Sequence, residues 1–194
     1  MISHNNKFIY TRIAKTASSA IIQLMEHYVD DMKTLVDENW THDPNHIPLY
    51  FLKKNIKEEH FNSYFKFGFV RNPWDRMVSA YAYTLNWYLK NDPSSPWCPT
   101  DFKSWIVNLD KNDKYLYPQQ HKFVEGCDFV GRFENLQEDF NIICDKIGIP
   151  QQQLPCKNKS KHKHYTEYYD EETKQIVAEK YAKDIEYFKY EFGE

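Results

Sequence analysis

The sequence predicts an α/β protein with a mostly parallel central sheet flanked by helices in a single domain, and three observations carry that prediction. Short runs rich in β-branched and aromatic residues occur at residues 7–13, 64–71 and 128–134, and each precedes residues of helical character. Strands that alternate with helices in this way build a parallel sheet through crossover connections. The length of 194 residues falls within the ~100–200 expected of one domain, and no internal repeat is visible. The composition, 41% hydrophobic and 27% charged, belongs to a globular chain with a sizeable core.

Each element follows from local chemistry. After the first strand, Ile21, Leu24, Met25 and Tyr28 recur at i, i+3, i+4 and i+7 and form one helical face. A polar stretch over 37–48 leads to a weaker helical segment reaching about His60, and the second strand follows. Asn72 and Pro73 then supply an N-cap and a first-turn proline, with Trp74, Val78, Tyr81 and Leu85 as the apolar stripe of the next helix. Residues 86–126 carry Pro93, Pro96, Pro99 and Pro118 and read as irregular, with one short helix near 102–109; a lid or substrate-binding region is expected there. The third strand leads into a helix on Leu136, Phe140, Ile143 and Ile147, stopped by Gly148 and Pro150. Residues 151–165 are polar and rich in lysine. Asp170 caps a final helix bearing Ile176, Val177, Tyr181 and Ile185.

Composition excludes several functions. A formal charge of −3 argues against wholesale coating of nucleic acid. Cys98, Cys127, Cys144 and Cys156 form no CxxC pair, so they read as reduced, mostly buried thiols rather than a zinc or redox motif. No metal is expected. No apolar stretch approaches the ~20 residues of a membrane span, and the first residues lack a signal-peptide run, so a cytoplasmic location is expected. The first glycine is Gly68, which removes both GxGxxG and GxxxxGK[ST] from the N-terminal third.

Two constellations carry chemistry. Lys15, Thr16, Ala17, Ser18 and Ser19 lie between a strand end and a helix start, where backbone N–H groups, the helix dipole, hydroxyls and an ammonium make an anion site. The bland alternative is an ordinary N-cap beside an exposed lysine. Arg71 ends the second strand and Ser79 lies about two turns into the following helix; a guanidinium fork and a small hydroxyl suit a phosphate. There the alternative is an Arg71–Asp75 pair and a serine that merely fits a tight contact. Two anion sites on adjacent strand–helix junctions point to a doubly phosphorylated ligand.

With these motifs set out, the sequence resembles the sulfotransferases that use 3′-phosphoadenosine 5′-phosphosulfate (PAPS), the carbohydrate sulfotransferase family that includes enzymes acting on chondroitin and heparan sulfate. Lys15-Thr-Ala-Ser-Ser19 is similar to the 5′-phosphosulfate loop of that family, and Phe69-Val-Arg-Asn-Pro-Trp-Asp-Arg-Met-Val-Ser-Ala-Tyr81 to its 3′-phosphate motif. Further matches are His46-Ile-Pro-Leu49, Phe129-Val-Gly-Arg-Phe-Glu-Asn-Leu136 and Asn158-Lys-Ser-Lys-His-Lys-His-Tyr165, so the likeness runs along almost the whole chain in order.

The resemblance implies a P-loop-NTPase-like core and an enzyme that moves a sulfonyl group from PAPS to a hydroxyl, leaving 3′,5′-ADP (PAP), on an acceptor expected to be a carbohydrate. It implies that the amides of Thr16, Ala17, Ser18 and Ser19 cradle the 5′-phosphosulfate, that Lys15 stabilises the leaving group, and that Arg71 and Ser79 hold the 3′-phosphate. Ser160 and Lys161 are the residues of the lysine-rich segment expected nearest the nucleotide. That segment also reads as a solvated loop or a nucleic-acid patch, although no nucleic-acid partner is expected. His46 is the expected general base; His42 and Glu134 remain alternatives.

The departures are small. Ala14 stands where many members have proline, and Ser19 and Ala20 replace a more usual Thr-Ser pair. The chain is shorter than the Golgi enzymes and lacks their anchor and stem, so a bacterial-type cytosolic enzyme or a minimal catalytic domain is expected. Rival readings are a nucleotide- or carbohydrate-binding protein without turnover, and a small-molecule kinase. The missing phosphate-loop glycines speak against the kinase.

Overall fold

The computed structural model describes residues 1–30, 46–111, 117–155 and 163–194. In chain order the elements are β1 (Ile2–Ser3), β2 (Phe8–Thr11), α1 (Ser18–Met25), α2 (Leu49–Asn55), α3 (Glu58–Ser63) and β3 (Phe65–Val70). Then come α4 (Pro73–Asn91), α5 (Phe102–Lys111), α6 (His121–Val124), β4 (Phe129–Arg132), α7 (Leu136–Ile147), α8 (Glu171–Lys180) and α9 (Ala182–Phe188). The chain forms two compact units, Met1–Arg71 with Gln120–Lys157, and Asn72–Gln119 with Asn158–Glu194.

The first unit is built on a four-stranded sheet in the order β1-β2-β3-β4. Parallel pairing joins β2 to β3, with Thr11 opposite Gly68, and β3 to β4, with Val70 opposite Arg132. Only the two-residue β1 is antiparallel, an edge strand too short to be visible in the sequence. Successive residues of β2 face opposite sides, as a strand buried on both faces requires. Phe8 and Tyr10 join Phe67, Phe69, α1 and α7 in one cluster, while Ile9 joins Ile2, Leu49, Leu52 and Tyr64 in another. Gly131 lets β4 approach the Phe69 ring, since a Cβ there would lie 2.5 Å from it. Gly148 ends α7 with a φ of 70°, the left-handed cap that its position predicts.

The second unit is helical among its described residues. Trp74, Met77 and Val78 of α4 pack with Phe102, Ile106 and Leu109 of α5 and with Tyr165, Val177 and Tyr181. Asn72 accepts a hydrogen bond from the Trp74 N–H and Pro73 opens α4, as the sequence predicts. Asp170 caps α8 through the Thr173 N–H. Phe192 makes edge contacts with Trp74, Tyr165 and Tyr169 at centroid distances of 5.5–5.6 Å, so part of the aromatic richness is core.

Several boundaries differ from expectation. The weak helix before β3 is two helices, because Ile56 and Lys57 adopt extended backbone. The last helix breaks at Tyr181 into α8 and α9. Residues 86–126 are more regular than their prolines suggest, since they hold the end of α4 and all of α5 and α6. The prolines fall between those helices, where proline is tolerated. Cys98, Cys127 and Cys144 are free thiols, but only Cys144 is buried; Cys156 lies outside the described residues. Among the described residues no helix is long and apolar enough to cross a membrane.

Candidate functional site

The site begins at the C-terminal ends of the parallel strands. Thr11 and Gly68 are partners across β2 and β3, and Ala14 and Arg71 each lie three residues further on. The register therefore carries the loop after β2 and the residue after β3 to the same edge. The Arg71 Nη1 donates to the Lys15 carbonyl at 3.2 Å, so the structure brings together two residues that are 56 positions apart.

The loop achieves its shape without glycine. Lys15 has φ 69° and Ala17 φ 62°, both left-handed, with Thr16 between them. Such a conformation costs a non-glycine residue of order 1 kcal/mol, and backbone that alternates in this way points successive N–H groups into one concavity. Ala17 is the N-cap of α1 and makes no side-chain cap bond. The ordinary Ser/Thr cap considered from the sequence is therefore not what forms. The first N–H groups of α1, from Ser18 and Ser19, have no acceptor inside their own helix. Thr16 is fully buried and its hydroxyl donates to the Ile13 carbonyl at 3.0 Å, which fixes the loop.

Two cations crowd this edge. Burial, and next the like charge of Arg71, push the Lys15 ammonium down to about 8 from an ordinary 10.5. Arg71 is almost fully buried, and its guanidinium lies 3.8 Å from the centroid of the Phe133 ring. Its backbone is held by Gln120, whose Oε1 accepts from the Arg71 N–H at 2.9 Å and whose Nε2 donates to the Arg71 carbonyl at 2.7 Å. A pair of partly desolvated positive charges beside unpaired helix N–H groups is an arrangement that an anion would stabilise.

His46 stands near the same edge of the first unit. Its Nδ1 lies 3.4 Å from the Arg12 carbonyl, and the Thr11 hydroxyl donates to the Ile47 carbonyl at 2.8 Å, so residues 46 and 47 run beside the end of β2. An Nδ1–H facing that carbonyl leaves Nε2 as the basic nitrogen. Glu134 is exposed on a short 3-10 turn, Phe133–Asn135. Ser79 is half-buried on α4 of the second unit. His42, Ser160 and Lys161 lie outside the described residues.

Sequence reasoning missed Gln120 and Phe133 as partners of Arg71. Gln120 gives no signal, because a glutamine in a Pro-Gln-Gln run looks like loop polarity. Phe133 lies inside the 128–134 run, where its aromatic ring reads as strand composition and does not announce a contact with Arg71. Among the described residues no cluster of three or more His, Cys, Asp or Glu side chains could hold a metal.

Comparison with known proteins adds a family context. A model described as Sulfotransferase family matches residues 1–191. An uncharacterized protein of Archaeoglobus fulgidus is 30% identical over 109 residues, covering 55% of this chain and 86% of its own. Carbohydrate sulfotransferase 10 of Xenopus laevis is 25% identical over 170 residues, covering 69% of this chain and 44% of its own length. Carbohydrate sulfotransferase 9 of Homo sapiens is 27% identical over 161 residues, covering 64% and 33%. The match thus spans less than half the length of each of these two relatives. Among solved structures, the mouse sulfotransferase SULT7A1 complexed with PAP superposes with a TM-score of 0.58 at 13% identity, over 95% of this chain and 86% of that one, a likeness of fold.

Proposed function

The chain belongs to the Sulfotransferase family, and from that premise we propose that residues 1–194 act as one PAPS-dependent sulfotransferase domain that sulfates a carbohydrate hydroxyl. The observation that carries this reading is the meeting of Lys15 and Arg71 at the ends of two adjacent parallel strands, beside the left-handed loop that opens α1. A nucleotide with one anionic group at its 5′ end and another on its 3′ oxygen matches two neighbouring cationic positions better than a singly phosphorylated one does.

The residues present fit such a donor. The amides of Thr16, Ala17, Ser18 and Ser19 are the groups to hold the phosphosulfate, and Arg71 with Ser79 the 3′-phosphate; Ser160 and Lys161 are the remaining nucleotide-side candidates. PAPS supplies the sulfonyl group, which the acceptor oxygen receives as the bond from sulfur to the 5′-phosphate oxygen breaks and 3′,5′-ADP is released. Lys15 neutralises charge that grows on that leaving oxygen, a role worth most where water is excluded. His46 accepts the hydroxyl proton on Nε2 while its Nδ1–H faces the Arg12 carbonyl. No enzyme nucleophile is needed, because positioning and charge neutralisation carry a transfer of this kind. Residues 86–126 are the proposed acceptor-binding segment; Trp87 and Trp97, both exposed, offer flat faces to a sugar ring.

The test is transfer from PAPS labelled in its sulfonyl sulfur to a panel of glycans and small hydroxyl compounds. Labelled product from a glycan, abolished in His46→Ala while 3′,5′-ADP still binds, is the expected result. Product from small alcohols alone would overturn the carbohydrate acceptor, and full turnover by His46→Ala would overturn the base.

A further inference from the structure

Arg71 is the first residue beyond the β3 ladder, whose last pairing is Val70 with Arg132. Arg71 is almost fully buried, so its backbone N–H and carbonyl need hydrogen-bond partners there. The side chain of Gln120 fills this position. Its carboxamide accepts from the Arg71 N–H at 2.9 Å and donates to the Arg71 carbonyl at 2.7 Å, as one more residue of a neighbouring strand would. Gln120 is itself fully buried, and its own carbonyl accepts from the Phe123 N–H at 2.9 Å, at the start of the turn whose Phe123 and Val124 are buried. The carboxamide is therefore anchored to the core and reaches forward to the site.

Outward from this lock, the guanidinium of Arg71 lies over Phe133 and donates through Nη1 to the Lys15 carbonyl. The ring fixes the plane of the guanidinium, the carbonyl fixes its rotation, and Gln120 fixes the backbone from which it starts. We propose that Gln120 is a positioning residue for nucleotide selectivity, holding Arg71 so that its guanidinium meets a 3′-phosphate without reorganising. The inference rests on the donor reading above. Its consequence is specific, because displacing Arg71 penalises only a nucleotide that carries the group Arg71 grips.

The experiment is calorimetric titration of the full chain with 3′,5′-ADP and with 5′-AMP, comparing wild type, Gln120→Leu and Gln120→Glu, with thermal unfolding of each variant as a check of folding. Gln120→Leu removes both bonds; its 3′,5′-ADP affinity is expected to fall roughly tenfold while 5′-AMP stays within about twofold. Gln120→Glu keeps an acceptor for the Arg71 N–H and, once protonated, regains a donor for the Arg71 carbonyl. Measured relative to wild type at the same pH, its preference for 3′,5′-ADP is therefore expected to recover as pH falls. Should Gln120→Leu not fold, this pH dependence of the Gln120→Glu ratio decides the matter alone. An equal loss for both nucleotides, or a wild-type ratio at every pH, overturns the proposal and leaves the donor reading in place. A wild-type protein that binds both nucleotides alike brings down the donor reading and the proposal with it.

Discussion

The two ends of strand β3 solve the problem of a buried cation in opposite ways. At its N-terminal end Lys66 is buried and its ammonium lies 2.9 Å from an Asp128 carboxylate oxygen and 2.7 Å from the Tyr64 carbonyl, with its own N–H donating to Asp128 at 2.7 Å. At the C-terminal end Arg71 is equally buried, but the neighbouring cation is Lys15, whose proton affinity is lowered by burial and by Arg71 itself. The first charge is neutralised by the protein and serves packing. The second pair brings two like charges together beside a loop held in left-handed backbone, a setting that favours a ligand of negative charge. Like charges gathered at one end of the strand, where an ion pair forms at the other, fit the donor site proposed above.

This contrast can be broken or sharpened by experiment. Lys15→Ala should lower the rate of sulfonyl transfer by ~10²–10³-fold, the scale of losing one stabiliser of developing charge, with little change in thermal stability. A loss of stability with activity intact would erase the distinction between the two ends. Lys66→Met should do the reverse, costing about 1–2 kcal/mol in denaturant unfolding, at the low end because half-exposed Asp128 keeps its water, and leaving 3′,5′-ADP affinity unchanged. A weakened nucleotide affinity in this variant would mean that the two ends are coupled.

Smaller effects follow from pH. Lys15 titrates near 8 in the unliganded protein and from 10.5 when unfolded, so across that window the unfolded chain holds more protons. Stability of the unliganded protein should therefore rise with pH there through this residue. A bound anion favours the ammonium, so 3′,5′-ADP binding near pH 8 should take up protons, and affinity should weaken as pH climbs above 8. Titrations in buffers of different ionisation enthalpy measure that uptake; proton release, or no exchange, would contradict the placement of Lys15 beside the ligand.

Much of this was legible in the sequence where local chemistry decides. Asn72 with Pro73, Gly148 and Asp170 end or start their helices as read, because capping depends on residues a few positions apart. The strands before Lys15 and before Arg71 were legible from their apolar runs, and parallel pairing followed from the helices between them. What escaped depends on distant partners. Edge strand β1 is two residues long and exists only through its pairing to β2. The break at Tyr181 has no glycine or proline to announce it. The Gln120 lock joins residues 49 apart through side-chain geometry that no periodicity encodes. The left-handed Lys15 and Ala17 are the instructive case: the lack of glycine correctly removed a glycine-rich loop motif, yet the backbone conformations that glycine usually provides are present on other residues.

The central claim, that the strand ends carrying Lys15 and Arg71 form a site for a 3′-phosphorylated nucleotide, is tested most directly by calorimetric titration of 3′,5′-ADP beside 5′-AMP into wild type and Arg71→Ala. The account predicts that wild type prefers 3′,5′-ADP and that Arg71→Ala loses roughly 10–100-fold of that affinity, the scale of charge-assisted hydrogen bonds, while 5′-AMP binding is unaffected. Equal affinities in wild type, or an Arg71→Ala variant that keeps its preference, would contradict it.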